Sequence, residues 1–181
     1  MNRYTLSIML LLCFSFCALA QKTSQSYAGQ EAREIKALSS DEVTAYLEGR
    51  GMGFAKAAEL NHYPGPKHVL DLSEKLKLTQ QQISETQTTY DKMHSDAVRI
   101  GKEIVESEKK LDSLFSTGAI DENQLVKVVN SIGQLNGELR IIHLRAHLSM
   151  KKVLSPTQIG EYDKLRGYDQ NHGMKHHQHN H

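Results

Sequence analysis

Residues 79–117 read TQQQISETQTTYDKMHSDAVRIGKEIVESEKKLDSLFST, and this stretch decides the fold. Its apolar side chains recur mostly at steps of three and four residues, which places them on one face of an α-helix. Thr79 with Gln82 forms a capping box at the start, and Gly118 offers a C-cap at the end. No proline interrupts the pattern, so we predict one helix over roughly 79–117. The repeating positions are Ile83, Gln87, Tyr90, Met93, Ala97, Ile100, Ile104, Leu111, Leu114 and Phe115.

A second amphipathic stretch follows after a short connection. Asp121 with Gln124 restarts the helical pattern, and apolar side chains continue it. Because a short loop makes consecutive helices antiparallel neighbours, we predict a long antiparallel hairpin over 79–152. Ser155 with Gln158 forms a third capping box, which starts a last short helix.

The rest of the chain is assigned around this hairpin. We predict a flexible leader at 21–37, a helical domain with short flanking helices at 38–166, and a disordered His-rich tail at 167–181. No stretch shows the alternation of a β-strand, so the fold class is all-α. Such a hairpin has a thin core, and it needs the short helices, a second copy or a client to cover its apolar stripe.

The block from Gly49 to Leu70 has no role that its sequence defines. It begins with the glycine-rich run GRGMG at 49–53. No strand precedes this run, so it does not fit a phosphate-binding loop, and we interpret it as a turn and a close packing contact. Short helices are predicted at 54–60 and 68–76, on either side of a Pro-Gly-Pro turn.

The first twenty residues are typical of a secretory signal peptide. Arg3 gives a positive start, residues 7–17 are apolar, and Ala18-Leu19-Ala20 fits the cleavage pattern of small residues. The apolar run is shorter than the ~20 residues that a membrane span requires. We therefore expect a signal peptide at 1–20, a periplasmic location, and no integral membrane segment in the mature chain.

Cysteine chemistry is excluded from the mature chain by the same cleavage. The sequence has 2 Cys, and both Cys13 and Cys17 precede the predicted cleavage point. Disulfides, a cysteine nucleophile and a cysteine zinc site are therefore not expected. Any metal has to be held by His, Met, Asp or Glu.

The charge and the absence of catalytic motifs exclude other function classes. The chain has 22 Lys+Arg against 21 Asp+Glu, so it lacks the basic surface that nucleic acid requires. No general acid–base pair, nucleophile motif or cofactor motif can be placed from spacing. We therefore do not expect an enzyme.

Two five-residue boxes carry a resemblance to a known family. Leu78-Thr79-Gln80-Gln81-Gln82 (box 1) precedes the predicted hairpin, and Leu154-Ser155-Pro156-Thr157-Gln158 (box 2) follows it. They resemble the paired LTxxQ motifs of the Spy/CpxP family of exported proteins, over roughly residues 66–166. Box 2 has Ser where the motif has Thr, which keeps the capping hydroxyl.

The resemblance implies one of two functions. Spy-like members are ATP-independent periplasmic chaperones, which form cradle-shaped dimers and hold unfolding clients on a concave face. Other members, similar to ZraP and CnrX, are periplasmic sensors that bind zinc, nickel, cobalt or copper and feed an envelope stress response. On this resemblance we expect a dimeric cradle, with Thr79, Gln82, Ser155 and Gln158 as structural residues.

Three histidines are candidate metal ligands within the hairpin. His143 and His147 are four residues apart and so share one helix face, a spacing that can chelate a metal. If the hairpin turns near Gly118, His94 lies level with them on the other helix. The alternative is that these side chains are half-exposed histidines on a solvated face.

The C-terminal tail is a second candidate for metal binding. Half of the 10 His lie in it, which is a composition typical of flexible ligand segments for divalent or cuprous ions. The alternatives are an accidental polar tail or an added tag. The residues concerned are His172, His176, His177, His179 and His181.

The leading hypothesis is therefore an exported chaperone-like protein that binds unfolded or misfolded envelope proteins and needs no cofactor. It is expected to form a homodimer and to have an envelope sensor as a further partner. Its client surface is predicted to combine basic residues with apolar ones. The basic residues are Lys92, Arg99, Lys102, Lys109, Arg140 and Arg145, and the apolar ones are Ile100, Ile104, Ile142 and Leu144.

Two alternatives remain open beside the chaperone. The first is a periplasmic sensor or buffer for Zn, Ni, Co or Cu, which would use the histidines of the hairpin and of the tail. The second is a structural envelope protein that only forms an oligomer.

Overall fold

A computed structural model describes residues 27–168 of the protein. This part of the chain is all-helical, and its two long helices pack against each other as an antiparallel hairpin, which confirms the predicted fold class. The helices are α1 (Ser40–Leu47), α2 (Lys56–Glu59), α3 (Pro66–Asp71), α4 (Gln80–Ser116), α5 (Glu122–Val153) and α6 (Pro156–Arg166).

The chain divides into two units, Met1–Ala32 and Arg33–His181. In the first unit the described residues form a turn, in which the Gln30 N–H donates to the Tyr27 carbonyl over 3.0 Å. All six helices belong to the second unit, and everything below concerns it. The predicted signal peptide lies outside the described residues, as does nearly all of the predicted tail.

Capping boxes fix where the helices begin. The side chains of Thr79, Asp121 and Ser155 each accept a hydrogen bond from the backbone N–H of a glutamine three residues on. The side-chain oxygen of that glutamine accepts in turn from the backbone N–H of the cap residue. The bounds of both long helices therefore agree with the prediction to within one residue. The short helices do not agree as well, because α2 is shorter than 54–60 and α3 begins at Pro66, where a missing N–H costs nothing.

Boxes 1 and 2 contact each other through their glutamines. The Gln82 amide donates to Gln158 Oε1 over 2.8 Å, and the Gln158 amide donates to Gln82 Oε1 over 3.0 Å. The Gln82 amide also donates to the Val153 carbonyl, and that of Gln158 to the Leu76 carbonyl. Each glutamine thus caps its own helix and holds the start of the other, which joins α4, α5 and α6 at one end of the hairpin.

Three apolar clusters hold the helices together. The base cluster packs α3, the end of α5 and α6 beside the two boxes. The middle cluster packs α4 against α5, with Tyr46 of α1 and Phe54 at its edge. The third cluster covers Val105 of α4 with Ile35 and Leu38. The base cluster consists of Val69, Leu76, Met150, Leu154, Ile159 and Tyr162, and the middle cluster of Ala97, Ile100, Ile104 and Leu139.

The packed body begins before the predicted boundary at residue 38. Ile35 is only 3% exposed and contacts the hairpin. Lys36 also pairs with Asp112 over 3.1 Å. The end of the segment that we predicted to be a flexible leader is therefore part of the helical body.

The helices of the described region do not include one that is both long and apolar enough to cross a membrane. The two long helices have the required length, but polar and charged side chains follow every few residues on their outer faces.

Gly101 lets α1 approach α4 closely. A β-carbon at this position would collide with the Tyr46 backbone carbonyl. A rigid carbonyl cannot move aside as the end of a side chain can. We therefore expect Gly101→Ala to lower the free energy of unfolding by about 2–3 kcal/mol through overpacking, as measured by urea denaturation.

Gly160→Ala is the matched control for this substitution. Gly160 also lies inside a helix, but a β-carbon there meets no atom within 4 Å. Replacing it should raise the stability by about 0.5–1 kcal/mol, since alanine is the better helix former. If both variants had the same effect, the contact between Gly101 and α1 would not constrain the fold.

Candidate functional site

The glycine-rich block forms a cavity against the hairpin. The cavity has a volume of about 540 Å³ and is lined by Glu48, by parts of the block between Gly49 and His68, by α4 and α5, and by the end of α6. Gly49 has a φ of +61°, and a β-carbon there would lie 3.0 Å from Val98 Cγ2 and 3.2 Å from the His94 carbonyl. A glycine is therefore needed at this point for the block to approach α4.

The three histidines predicted in the hairpin all line this cavity. His94 donates through Nε2 to the Glu48 carbonyl over 3.0 Å and stacks on Tyr90. His143 is buried and stacks on Phe54, with the ring centroids 5.9 Å apart. The hairpin therefore places all three predicted side chains on the wall of one cavity.

His143 is an uncharged side chain at neutral pH. Burial, followed by the nearby His147, lowers its pKa from 6.5 to about 4. Its Nε2 atom is buried and has no hydrogen-bond partner. A neutral imidazole with a free nitrogen can act as a hydrogen-bond partner or as a ligand for a metal ion.

His147 is held in a fixed orientation. Its Nδ1–H donates to the Tyr63 carbonyl over 2.7 Å, so in the neutral ring Nε2 carries the lone pair. A β-carbon on Gly65 would lie 3.2 Å from this Nε2 atom. The block therefore orients the imidazole with one backbone carbonyl and leaves room beside its other nitrogen with a glycine.

Glu59 of α2 is the centre of a polar cluster that sequence reasoning missed. Its Oε1 accepts hydrogen bonds from Tyr162 over 2.5 Å and from Tyr168 over 3.0 Å. Arg166 Nε lies 3.5 Å from the same oxygen, and His147 Nδ1 lies 3.6 Å from Oε2. Burial and the Glu59 carboxylate raise the pKa of Tyr162, which stays protonated as a donor.

A second set of polar contacts ties the block to α5 and α6. His62 has a φ of +66°, and its Nδ1–H donates to Asp163 Oδ2 over 2.8 Å. Lys151 donates to the His62 carbonyl over 2.9 Å, and its ammonium lies 4.9 Å from the centre of the Tyr63 ring. These contacts fix the turn that precedes α3, and they give His62 a structural role in it.

Within the described region, no three His, Cys, Asp or Glu side chains are close enough together to hold a metal ion. His94, His143 and His147 border one cavity without converging on a point, so metal binding there would require side chains to rotate. The five histidines of the tail, His172, His176, His177, His179 and His181, lie outside the described residues. Metal binding therefore stays a prediction for both sets.

The predicted client surface needs a correction. Ile100 and Ile104 are buried in the middle cluster, so they cannot contact a client. The stripe on α4 was correctly recognised, but its direction depended on which face α5 and α1 would cover. Arg140 and Arg145 of α5 are exposed, as predicted.

The outward face of α5 carries an exposed apolar row. Val126, Ile141 and Leu148 are between 46% and 53% exposed. They fall on one face of α5, on the other side of the helix from its buried Leu139 and Met150; Ile141 and Leu148 are two turns apart, and Val126 lies farther toward the start of the helix. Gly133, Gly137 and Leu144 fall on the same face, and β-carbons on the two glycines would meet no atom within 4 Å. We call this surface the outer row.

No protein-family model, curated protein or solved structure matches this chain.

Lowering the pH should destabilise the fold through His143. In the unfolded chain this imidazole binds a proton near pH 6.5, whereas in the folded chain it does so only near pH 4. Between these values the unfolded state binds more protons, so the free energy of unfolding falls as the pH falls. At about 1.4 kcal/mol per unit of pKa the full loss would be about 3.5 kcal/mol, and we expect about 3 kcal/mol of it by pH 4, where half of the folded molecules carry the proton.

Urea denaturation of the wild type and of His143→Gln, at several values between about pH 4 and pH 7, measures this contribution. Glutamine cannot bind a proton in this range, so the variant should lose less stability on acidification. The same pH dependence in both proteins would rule out His143 as the cause.

Proposed function

We propose that the protein is an exported, ATP-independent chaperone that binds unfolded chains, as the resemblance of boxes 1 and 2 implies. The single observation that carries the proposal is the outer row. Monomeric soluble proteins rarely leave several large apolar side chains exposed in a line, and such surfaces commonly contact other proteins. A client with exposed apolar groups is a suitable partner for it.

Charge around the outer row suits the capture of clients. Lys127, Arg145 and Lys152 follow one edge of the row, and Arg140 lies on the other. Among the described residues, none of these four makes an ion pair. Free basic side chains accelerate the encounter with acidic segments, and the apolar row then supplies weak, reversible contacts.

The test is the aggregation of reduced insulin, followed by light scattering. The reductant leaves the mature chain intact, because both cysteines precede the predicted cleavage point. We expect equimolar mature protein to suppress scattering. In Ile141→Glu/Leu148→Glu, about tenfold more protein should be needed, since the loss of about 1.4 kcal/mol of apolar contact weakens binding tenfold.

Ser84→Glu/Ser131→Glu is the matched control, because it places the same two negative charges on exposed helix positions outside the row. It should suppress aggregation like the wild type. Equal activity of all three proteins would contradict a role for the outer row, and no suppression by the wild type would contradict the chaperone proposal. Size-exclusion chromatography of the same proteins tests the expected homodimer.

A second candidate function, the binding of a transition metal, is favoured by the buried and unpartnered Nε2 of His143. The cavity wall offers imidazole nitrogens from His94, His143 and His147, and thioethers from Met52 and Met93. These donors suit zinc, nickel, cobalt or copper. The orientation of His147 by a backbone carbonyl is the kind of support that metal-binding histidines have.

Titration calorimetry with Zn²⁺ tests this second candidate. The mature chain is compared with a chain that ends at residue 168, which separates the tail from the cavity. We expect the shorter chain to bind about one equivalent with a Kd near the micromolar range, and His143→Gln/His147→Gln to bind at least about tenfold more weakly. No binding tighter than about millimolar in either chain would remove the candidate.

The aggregation assay with a chelator, and then with added Zn²⁺, decides between the two functions. Suppression that survives the chelator supports the chaperone as the primary activity. Suppression, or a change of oligomeric state, only with zinc would support metal sensing instead.

A further inference from the structure

The cavity described above has the size and the apolar walls of a small-molecule site. Its volume of about 540 Å³ falls within the range of ~300–1,000 Å³ that is typical of ligand pockets. Its lining includes the apolar side chains of Met52, Leu60, Pro66, Tyr90 and Met93. An organic molecule in this space would replace water against these side chains and bury their apolar surface.

Unpartnered polar atoms concentrate around this cavity. Among the described residues, four buried side-chain polar atoms lack a hydrogen-bond partner. Three of them, Glu59 Oε2, His143 Nε2 and Arg166 Nε, belong to residues that line the cavity. Leaving such atoms unpaired costs about 1–3 kcal/mol each. They are closed to solvent, so a ligand recovers this cost only when the side chains that cover them rotate.

The charges of the wall favour an uncharged ligand. Glu59 and Arg166 are oppositely charged and lie 3.5 Å apart. A cationic ligand would be placed beside Arg166, and an anionic ligand beside Glu59, so either would have a like charge as a neighbour. A neutral molecule avoids this repulsion and can still donate to the carboxylate and accept from the guanidinium.

Flat side chains favour a flat ligand. The rings of Tyr90 and His94 are stacked, with centroids 5.6 Å apart and planes inclined by 20°. Elsewhere in the lining, the Arg166 guanidinium lies 5.6 Å from the centre of the Tyr168 ring. Each of these surfaces offers a planar ligand an offset stacking partner.

We propose that this cavity binds a small, planar, uncharged organic molecule whose edge carries an N–H donor beside a carbonyl or ring-nitrogen acceptor. Once the side chains that cover these atoms rotate, the donor pairs with Glu59 Oε2 and the acceptor with Arg166 Nε. The proposal depends neither on client binding by the outer row nor on a metal ion.

Methionine methyl groups provide the readout, in the mature protein labelled with ¹³C at methionine and kept in a chelator. Met52 and Met93 line the cavity, whereas Met150 is fully buried in the base cluster and does not line it. The probe is benzamide, which combines a ring with an amide donor and acceptor. Its controls are benzamidine, benzoate and toluene, which present a cation, an anion and no polar group.

We expect benzamide to shift the signals of Met52 and Met93 and to leave that of Met150 unchanged. The two ions and toluene should need at least about tenfold higher concentrations, which corresponds to about 1.4 kcal/mol. No shift with any probe would overturn the proposal. Equal or tighter binding of toluene would also overturn it, because the cavity would then be apolar and unspecific. So would signals that shift with Zn²⁺, in a sample without the chelator, but with none of the organic probes, because the cavity would then be a metal site only.

Two kinds of variant separate recognition from folding. Glu59→Gln replaces one acceptor oxygen by an amide donor, so it should weaken benzamide binding about tenfold. The variant should also prefer benzamide over benzoate by a smaller factor than the wild type does. Ala55→Leu adds volume in the lining and should weaken the binding of benzamide, whereas Ala57→Leu is exposed and outside the lining and should not. If Ala55→Leu and Ala57→Leu bound benzamide equally, the site would not be this cavity.

Discussion

The reciprocal amide pair between Gln82 and Gln158 is the contact on which the rest of the structure depends. Each glutamine satisfies the backbone at the start of its own helix and also donates to the other one. A hairpin alone leaves its open end without any such link. This pair closes that end, and the base cluster of apolar side chains packs directly beside it. It gives a physical reason for the positions of the two boxes, one before the hairpin and one after it, whose glutamines are 76 residues apart.

The closed base supports the block that forms the cavity. Glu59 of α2 hydrogen-bonds to Tyr162, and His62 to Asp163, both on the helix that box 2 starts. His147 is oriented in turn by a carbonyl of the same block. The capping residues therefore influence the cavity indirectly, by holding α6 where these partners can reach it. The outer row lies on a neighbouring face of α5, since His147 follows Leu144 by three residues.

Local signals predicted the helices, but not the surroundings of the site. Capping boxes and three- and four-residue spacing placed both long helices, because these signals act within one turn. The same spacing placed His143 and His147 on one face. Glu59 and Arg166 could not be found this way, since they meet only after the block folds back over α5 and α6. Periodicity also gives the apolar stripe without its partner, which is why Ile100 and Ile104 were assigned to a client surface.

Between Val105 and Val128 no residue of the hairpin is buried. About 17 Å of α4, at 1.5 Å per residue, extends past Val105, and beside its own backbone hydrogen bonds it is held by half-exposed ion pairs of Asp112 with Lys36 and of Lys109 with Glu34. Amide protons there can exchange with solvent through local opening, whereas those near the boxes require the whole domain to unfold. The hairpin is therefore rigid at its base and adaptable at its tip. A partner that contacts the tip can bend it without disturbing the cavity.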